Sequence, residues 1–261
     1  MPIHLTLPPT FRDRIASAGR PQIGMWVCTG SPLVAEICAG AGLDWLLIDG
    51  EHSPIGLETT AALLRAVAPY PVTSLVRVPS GDAVVLKQLL DLGAQNVLVP
   101  MVDTAEQARA VVRAVRYPPR GVRGVGAALS RGARWNRVEN YMADADRHVS
   151  LFVQIESATA VGNAAAIAAV DGIDGVFVGP SDLAASMDLL GQQTHPDVIA
   201  AVRSTFEAVR AAGKPVGVNA FDPSMARAYL DAGASFVLVG ADVTLLARGS
   251  EALADTWIDE K

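Results

Sequence analysis

The 261-residue sequence predicts one α/β domain, a (β/α)8 TIM barrel with its working face at the C-terminal ends of the strands. Three observations carry this. A unit of short β-branched strand, loop, Ala/Leu-rich helix and glycine recurs eight times. Each strand is nearly continuously apolar, as parallel strands buried on both faces are. The length is close to the ~250 residues that eight such units use. An open doubly wound sheet shows the same alternation, but no G-x-G-x-x-G follows the first strand.

Residues 1–20 read as a leader with a helical turn over 11–18. Strands follow at 22–27, 44–49, 72–78, 96–99, 151–155, 175–178, 215–218 and 236–239. Helices are expected at 33–41, 57–67, 83–92, 105–115, 158–169, 197–212, 223–231 and 243–256. Four approaches to a strand share one pattern: AGAGLDWLLIDG, DLGAQNVLVP, AVDGIDGVFVG and DAGASFVLVG. In each, glycine ends a helix in a left-handed cap and a buried strand begins two or three residues later. The exception is 117–148, a Gly- and Arg-rich stretch with a short helix near its end. It is expected to be a long loop at the rim, serving function or an oligomer contact.

Half of the chain is apolar (51%), enough for a single core, and the net charge of −6 argues against nucleic acid or an anionic membrane as the main partner. Cys28 and Cys38 have no motif spacing, so a reducing compartment and a cytoplasmic protein are expected. The first residues lack the charged start and apolar run of a signal peptide, and no segment approaches ~18 apolar residues. Arginines cluster without an intervening acid from Arg109 to Arg137. The first three suit a solvated helix face; Arg123, Arg131 and Arg134 suit an anionic substrate, a subunit contact or solvent.

The chemistry gathers where strands end. The rim supplies Asp49, Glu51 and His52 from IDGEH, Arg77 from LVRV, Glu156 from QIES and Asp182 from GPSD. Polar groups are costly inside strands, so their placement directly after apolar runs suits a working rim. Glu156 and Asp182, with no His or Cys between them, suit a hard divalent cation, although Asp182 also stands where a helix cap would be. His52, flanked by acids, is an acid/base candidate that Asp49 could orient; a lone histidine is otherwise most often structural. Arg77 suits a carboxylate or enolate oxygen, or equally a salt bridge to a rim acid. The three lysines are Lys87 in a helix, Lys214 before the seventh strand and Lys261 at the terminus, so a Schiff base is excluded. Phe221, at the mouth of the seventh strand, either packs or lines the mouth of the pocket.

DWLLIDGEHSP, VRVPSGDAVVLKQLLDLGAQNVLVPMVDTAEQA, YPPRGVRGVG, RWN, VQIES and GVFVGPSDLAASM together resemble the HpcH/HpaI family of metal-dependent pyruvate aldolases, from about residue 24 to residue 254. The resemblance implies a barrel of the phosphoenolpyruvate/pyruvate type that reversibly cleaves a 4-hydroxy-2-oxo acid to pyruvate and an aldehyde. It implies that Glu156 and Asp182 ligate Mg or Mn, with Co also accepted, and that Gln154 lies beside them. Pyruvate would bind the metal, its carboxylate received by backbone amides near Ser181 and Asp182. Arg77 would stabilise the enolate oxygen, His52 paired with Asp49 would be the acid/base, and Asp91 would join that network across a subunit boundary. Arg123, Arg131 and Arg134 could contact substrate through a distal carboxylate or hydroxyls, or equally make a subunit contact. The family's hexamer implies a homo-oligomer, with the helix at 243–256 packed on a neighbouring subunit.

Three other readings stay open at this stage. A citrate-lyase-like or malyl-thioester lyase shares the enolate logic, but no added element holds a coenzyme A tail. The last unit, FVLVGAD, could bind phosphate as in a barrel isomerase. A binding barrel without activity is the third, since fold alone does not establish catalysis.

Overall fold

The computed structural model describes residues 3–258. Eight parallel strands close into a barrel in sequence order: β1 (Gln22–Val27), β2 (Trp45–Asp49), β3 (Thr73–Arg77), β4 (Asn96–Val99), β5 (Ser150–Ile155), β6 (Gly175–Val178), β7 (Val216–Asn219) and β8 (Phe236–Ala241). Helix α1 (Phe11–Ser17) precedes them. Helices α2 (Pro32–Ala39), α3 (Leu57–Val67), α4 (Ala83–Asp91) and α5 (Ala105–Val115) follow the first four strands, and α6 (Ala158–Gly162) and α7 (Ala164–Ala168) follow β5. After β6 come α8 (Pro180–Ser186) and α9 (Pro196–Ala211); α10 (Pro223–Asp231) follows β7 and α11 (Asp242–Trp257) follows β8.

Strand alternation sorts the residues into two cores. One set packs outward under the helices, while Trp26, Trp45, Leu47, Leu75, Leu98, Phe152, Phe177 and Phe236 fill the barrel. The large rings require small partners across the interior. A Cβ on Gly24 would come within 2.5 Å of the Trp45 ring, and one on Gly217 within 2.3 Å of Phe236. Phe11 closes the N-terminal end: it is fully buried, its ring lies 4.9–5.3 Å from those of Trp45, Phe152 and Phe236, and its N–H donates to Asn96 Oδ1 at 2.7 Å.

The same alternation prepares the site. Two residues on from Trp45 and Leu47 comes Asp49; beyond Leu75 comes Arg77; beyond Phe152 come Gln154 and Glu156; beyond Gly217 comes Asn219. A period of two keeps each on the inward face, one layer nearer the C-terminal rim, or two for Glu156.

The structure departs from the sequence reading in three places. The helix expected over 158–169 is two short helices broken at Asn163, whose side chain turns away to donate to the Asp103 carbonyl at 2.8 Å. Helix α8 is absent from the expected helices, and it begins at Pro180, ahead of the cap position considered at Asp182. The loop over 117–148 is not at the rim, because it follows α5 and leads into β5, which puts it at the N-terminal end of the barrel. There Leu7 packs on its Ala133, Val138 and Tyr141, and Arg131 donates to the carbonyls of Leu64 and Leu92.

Candidate active site

Asp49 and Arg77 are paired across β2 and β3, so their side chains leave the sheet side by side. Arg77 donates Nε and Nη2 to the two Asp49 oxygens at 3.0 and 2.9 Å, and its Nη1 lies 3.0 Å from Glu51 Oε2. Its guanidinium also stacks on the Trp26 ring, 4.4 Å from the centroid. The indole is held in turn by a 2.8 Å bond from its N–H to Asn219 Oδ1. Burial pushes the Asp49 carboxyl up, but the bonds and charge of Arg77, with the Glu51 and His52 amides, hold it below the usual carboxylate range.

Asp49 accepts the backbone N–H of His52 at 3.3 Å, and the bonds it makes are to Arg77, to backbone amides and to Ser53 rather than to the imidazole. The expected Asp49–His52 ring pairing is therefore corrected: Asp49 shapes the loop and fixes the arginine, both of which compete for its two oxygens. The His52 side chain is 66% exposed, with Nε2 3.9 Å from Glu51 Oε2.

Glu156 is buried at the end of β5. Its Oε1 accepts the Met101 N–H at 2.8 Å, and its Oε2 accepts Gln154 Nε2. Met101 adopts φ 54°, a left-handed conformation that costs a non-glycine residue ~1–3 kcal/mol and here aims an amide at the carboxylate. Gly179 gives the pair room, since a Cβ there would lie 2.7 Å from Glu156 Oε2 and 2.8 Å from Gln154 Nε2. Burial, with the negative charges of Asp182 and Glu51 adding to it, pushes the Glu156 carboxyl up to about 7 against the pull of the Met101 amide and Arg77. Glu51 is raised as well, first by burial and then by Asp49 and Asp182, with Arg77 and His52 opposing.

Asp182 lies in the first turn of α8, where Gly179 holds the cap position; Ser157 caps α6. Neither acid caps a helix. Asp182 is exposed, as is Ser181 beside it. Three carboxylates, Glu51, Glu156 and Asp182, thus share one small region with a single arginine. The buried Gln154 Oε1 has no hydrogen-bond partner there. An excess of hard oxygen donors over positive charge fits a divalent cation of the Mg or Mn type. Among the described residues no group of three His, Cys, Asp or Glu is arranged to close a cage.

Asp91 and Arg123 are not at this rim within the chain. Asp91 ends α4, just before β4 begins, and accepts Arg123 Nη2 at 2.9 Å. Arg123 is buried, 4.6 Å over the Tyr117 ring. The expectation that Arg123 contacts substrate is corrected for its own site, because the buried guanidinium is paired through Nη2 with Asp91 at the far end of the barrel; Arg131 and Arg134 lie at that end too. Phe221 is at the mouth of β7 and 45% exposed, so it does not serve the core. Sequence reasoning missed Trp26, Met101 and Gly179. Only Trp26 left a signal, as the inward residue one layer above Gly24.

A closed β/α barrel with its acids and arginine on the C-terminal rim defines a barrel enzyme, and these acids suit carbon–carbon lyase chemistry. The chain belongs to the HpcH/HpaI aldolase/citrate lyase family, which matches residues 22–249. It is 51% identical to a 4-hydroxy-2-oxo-heptane-1,7-dioate aldolase of Salmonella heidelberg over 251 residues, covering 96% of this chain and 95% of that one. It is 52% identical to a hydroxypyruvate/pyruvate aldolase of Deinococcus radiodurans over 263 residues, covering 100% and 95%. Its fold is similar to the crystal structure of an HpcH/HpaI aldolase/citrate lyase family protein from Burkholderia cenocepacia J2315, at TM-score 0.90, 39% identity and coverage of 94% and 98%.

Proposed function

We propose that the protein is a divalent-metal-dependent pyruvate aldolase that reversibly cleaves a 4-hydroxy-2-oxo acid to pyruvate and an aldehyde. The observation that carries this is the meeting of Glu156, Asp182 and Glu51 around Arg77 at one rim of the barrel. Glu156 and Asp182 hold the cation, which supplies Lewis-acid polarisation of the keto group when bound. The first-turn amides of Ser181 and Asp182, which a helix leaves unpaired, receive the pyruvate carboxylate. Gln154, through its free Oε1, orients what binds beside Glu156.

Cleavage begins when a base takes the proton of the 4-hydroxyl. The C3–C4 bond then breaks, its electrons pass to the pyruvate enolate, and the aldehyde leaves; C3 is protonated afterwards. His52 takes and returns that proton, since it is the imidazole at the rim. Arg77, held by Asp49 and Trp26, meets the charge that grows on the enolate oxygen, a charge present mainly in the transition state. Removing one such donor costs about 10²–10³-fold in turnover.

The assembly is a homo-oligomer, a hexamer by resemblance. Helix α11 supports this: of its 16 residues only Asp242 is buried, and Leu245, Leu246, Leu253 and Trp257 face outward. An apolar helix face of this kind needs a partner. By the same reading Asp91 reaches the site of a neighbouring subunit. No helix among the described residues is long and apolar enough to cross a membrane. Free thiols at Cys28 and Cys38 suit the cytoplasm. The test of function is release of pyruvate from 4-hydroxy-2-oxo acids, read by coupled lactate dehydrogenase with Mg or with chelator. Equal rates under both conditions would refute the metal-dependent reading, and no release from any such acid would refute the aldolase itself.

A further inference from the structure

Beside the carboxylates, where α8 faces the β7–α10 loop, a cavity of about 280 Å³ opens next to Ser181. Its walls include Gln193, Thr194, Asn219, Phe221 and Tyr229. Tyr229 is 1% exposed, and its hydroxyl has no hydrogen-bond partner. Phe206 fixes the ring from behind at 5.8 Å. A buried hydroxyl that no protein group meets is left to bond water or a ligand. Asn219 adds a second polar group. The indole N–H of Trp26 can only donate, so Asn219 turns its oxygen there and leaves its NH2 for a ligand.

Charge narrows the ligand further. Among the described residues none of the side chains lining the cavity is basic, and the one acid, Asp222, is spent capping α10 through Met225 N and Ser224 Oγ. A carboxylate placed there would lose its water and find no basic side chain in the walls, Arg203 acting on the Tyr229 hydroxyl only from beyond the lining. A neutral hydroxyl both donates and accepts, which suits Tyr229 and Asn219 together.

We propose that this cavity is the subsite for the tail of the acceptor aldehyde, and that it selects a neutral hydroxylated aldehyde over one ending in a carboxylate. The proposal rests on the aldolase reading above. Phe221 stands at the entrance and Tyr229 at the wall, so chain length and hydroxylation are read together. A site built to bond a hydroxyl discriminates strongly against the analogue without it.

The test uses the full-length enzyme with Mg and saturating pyruvate, comparing glyceraldehyde, propanal and succinic semialdehyde as acceptors. Glyceraldehyde is expected to exceed succinic semialdehyde in kcat/KM by at least about tenfold, and Tyr229→Phe to lower the glyceraldehyde value about five- to tenfold but the propanal value less than twofold. Thr194→Val, on an exposed loop, is expected to act in the same substrate-selective direction and carries the test should Tyr229→Phe fail to fold. A preference for succinic semialdehyde, or equal losses on glyceraldehyde and propanal, overturns the proposal. Exchange of the pyruvate methyl protons in the same preparation reports the aldolase reading alone. Exchange with the wrong acceptor order overturns only the subsite; no exchange overturns both.

Discussion

Arg77→Lys isolates the geometry of the site from its charge. In the structure the guanidinium makes two bonds to Asp49, a third approach to Glu51 at 3.0 Å, and a stack on Trp26, all while 5% exposed. An ammonium keeps the charge but can serve one carboxylate at a time and does not stack in a plane. At least one of the two Asp49 bonds is lost, at ~1.5–3 kcal/mol for a charge-assisted bond. Loss of the fixed donor to the enolate oxygen adds ~2.7–4 kcal/mol to the barrier, or about 10²–10³-fold in kcat. Metal binding is expected to change little, because Glu156 and Asp182 are untouched. Steady-state retro-aldol kinetics, with a magnesium titration of the melting temperature alongside, measures both. Turnover within about threefold of the unmodified enzyme would refute the role given to Arg77, since no part of that estimate allows so small a loss.

Other consequences follow from the same contacts. Glu156 has a folded-state carboxyl raised to about 7, so the apo protein holds a proton there that the unfolded chain releases near 4.5; the stability this provides is present at pH 4 and is lost as pH rises through 7. Glu156→Gln should therefore flatten the fall in apo melting temperature between pH 5 and 8, and an unchanged slope would show that Glu156 is not the group responsible. The same variant should abolish the stabilisation by added Mg, which calorimetry checks. Gly179→Ala should displace Glu156 or Gln154 and lower metal-dependent turnover at least about tenfold, as the magnitude for a misplaced catalytic group suggests; normal turnover would mean the close approach at 2.7 Å is not needed. Phe11→Ala empties the N-terminal end of the barrel and should cost ~3–5 kcal/mol in urea unfolding, with less than about 1.5 kcal/mol contradicting the plug.

Much of this architecture was legible in the sequence because burial leaves a one-dimensional trace. Strands apolar on both faces and glycine caps gave the barrel, and charged residues directly after apolar runs gave Asp49, Arg77 and Glu156 at the rim. Short elements leave a weaker trace: seven residues, PSDLAAS, hold α8, too few to show a helical period. The side of the barrel taken by the 117–148 loop follows from its place after a helix rather than after a strand, a topological fact that composition obscured. Side-chain partners were the least legible. Nothing local says that Asp49 meets the His52 amide instead of its ring, that Arg123 turns to Asp91, or that Met101 takes a left-handed turn to reach Glu156, because each depends on residues 28 or more positions away or on rotamers.

The central claim is that these residues, with a divalent cation, turn pyruvate into its enolate. Exchange of the pyruvate methyl protons for deuterium, followed by NMR in heavy water, tests this without knowledge of the aldehyde. The account predicts exchange with Mg or Mn that stops on adding chelator and resumes when metal is restored. Exchange that persists in metal-free enzyme, or no exchange under either condition, would contradict it.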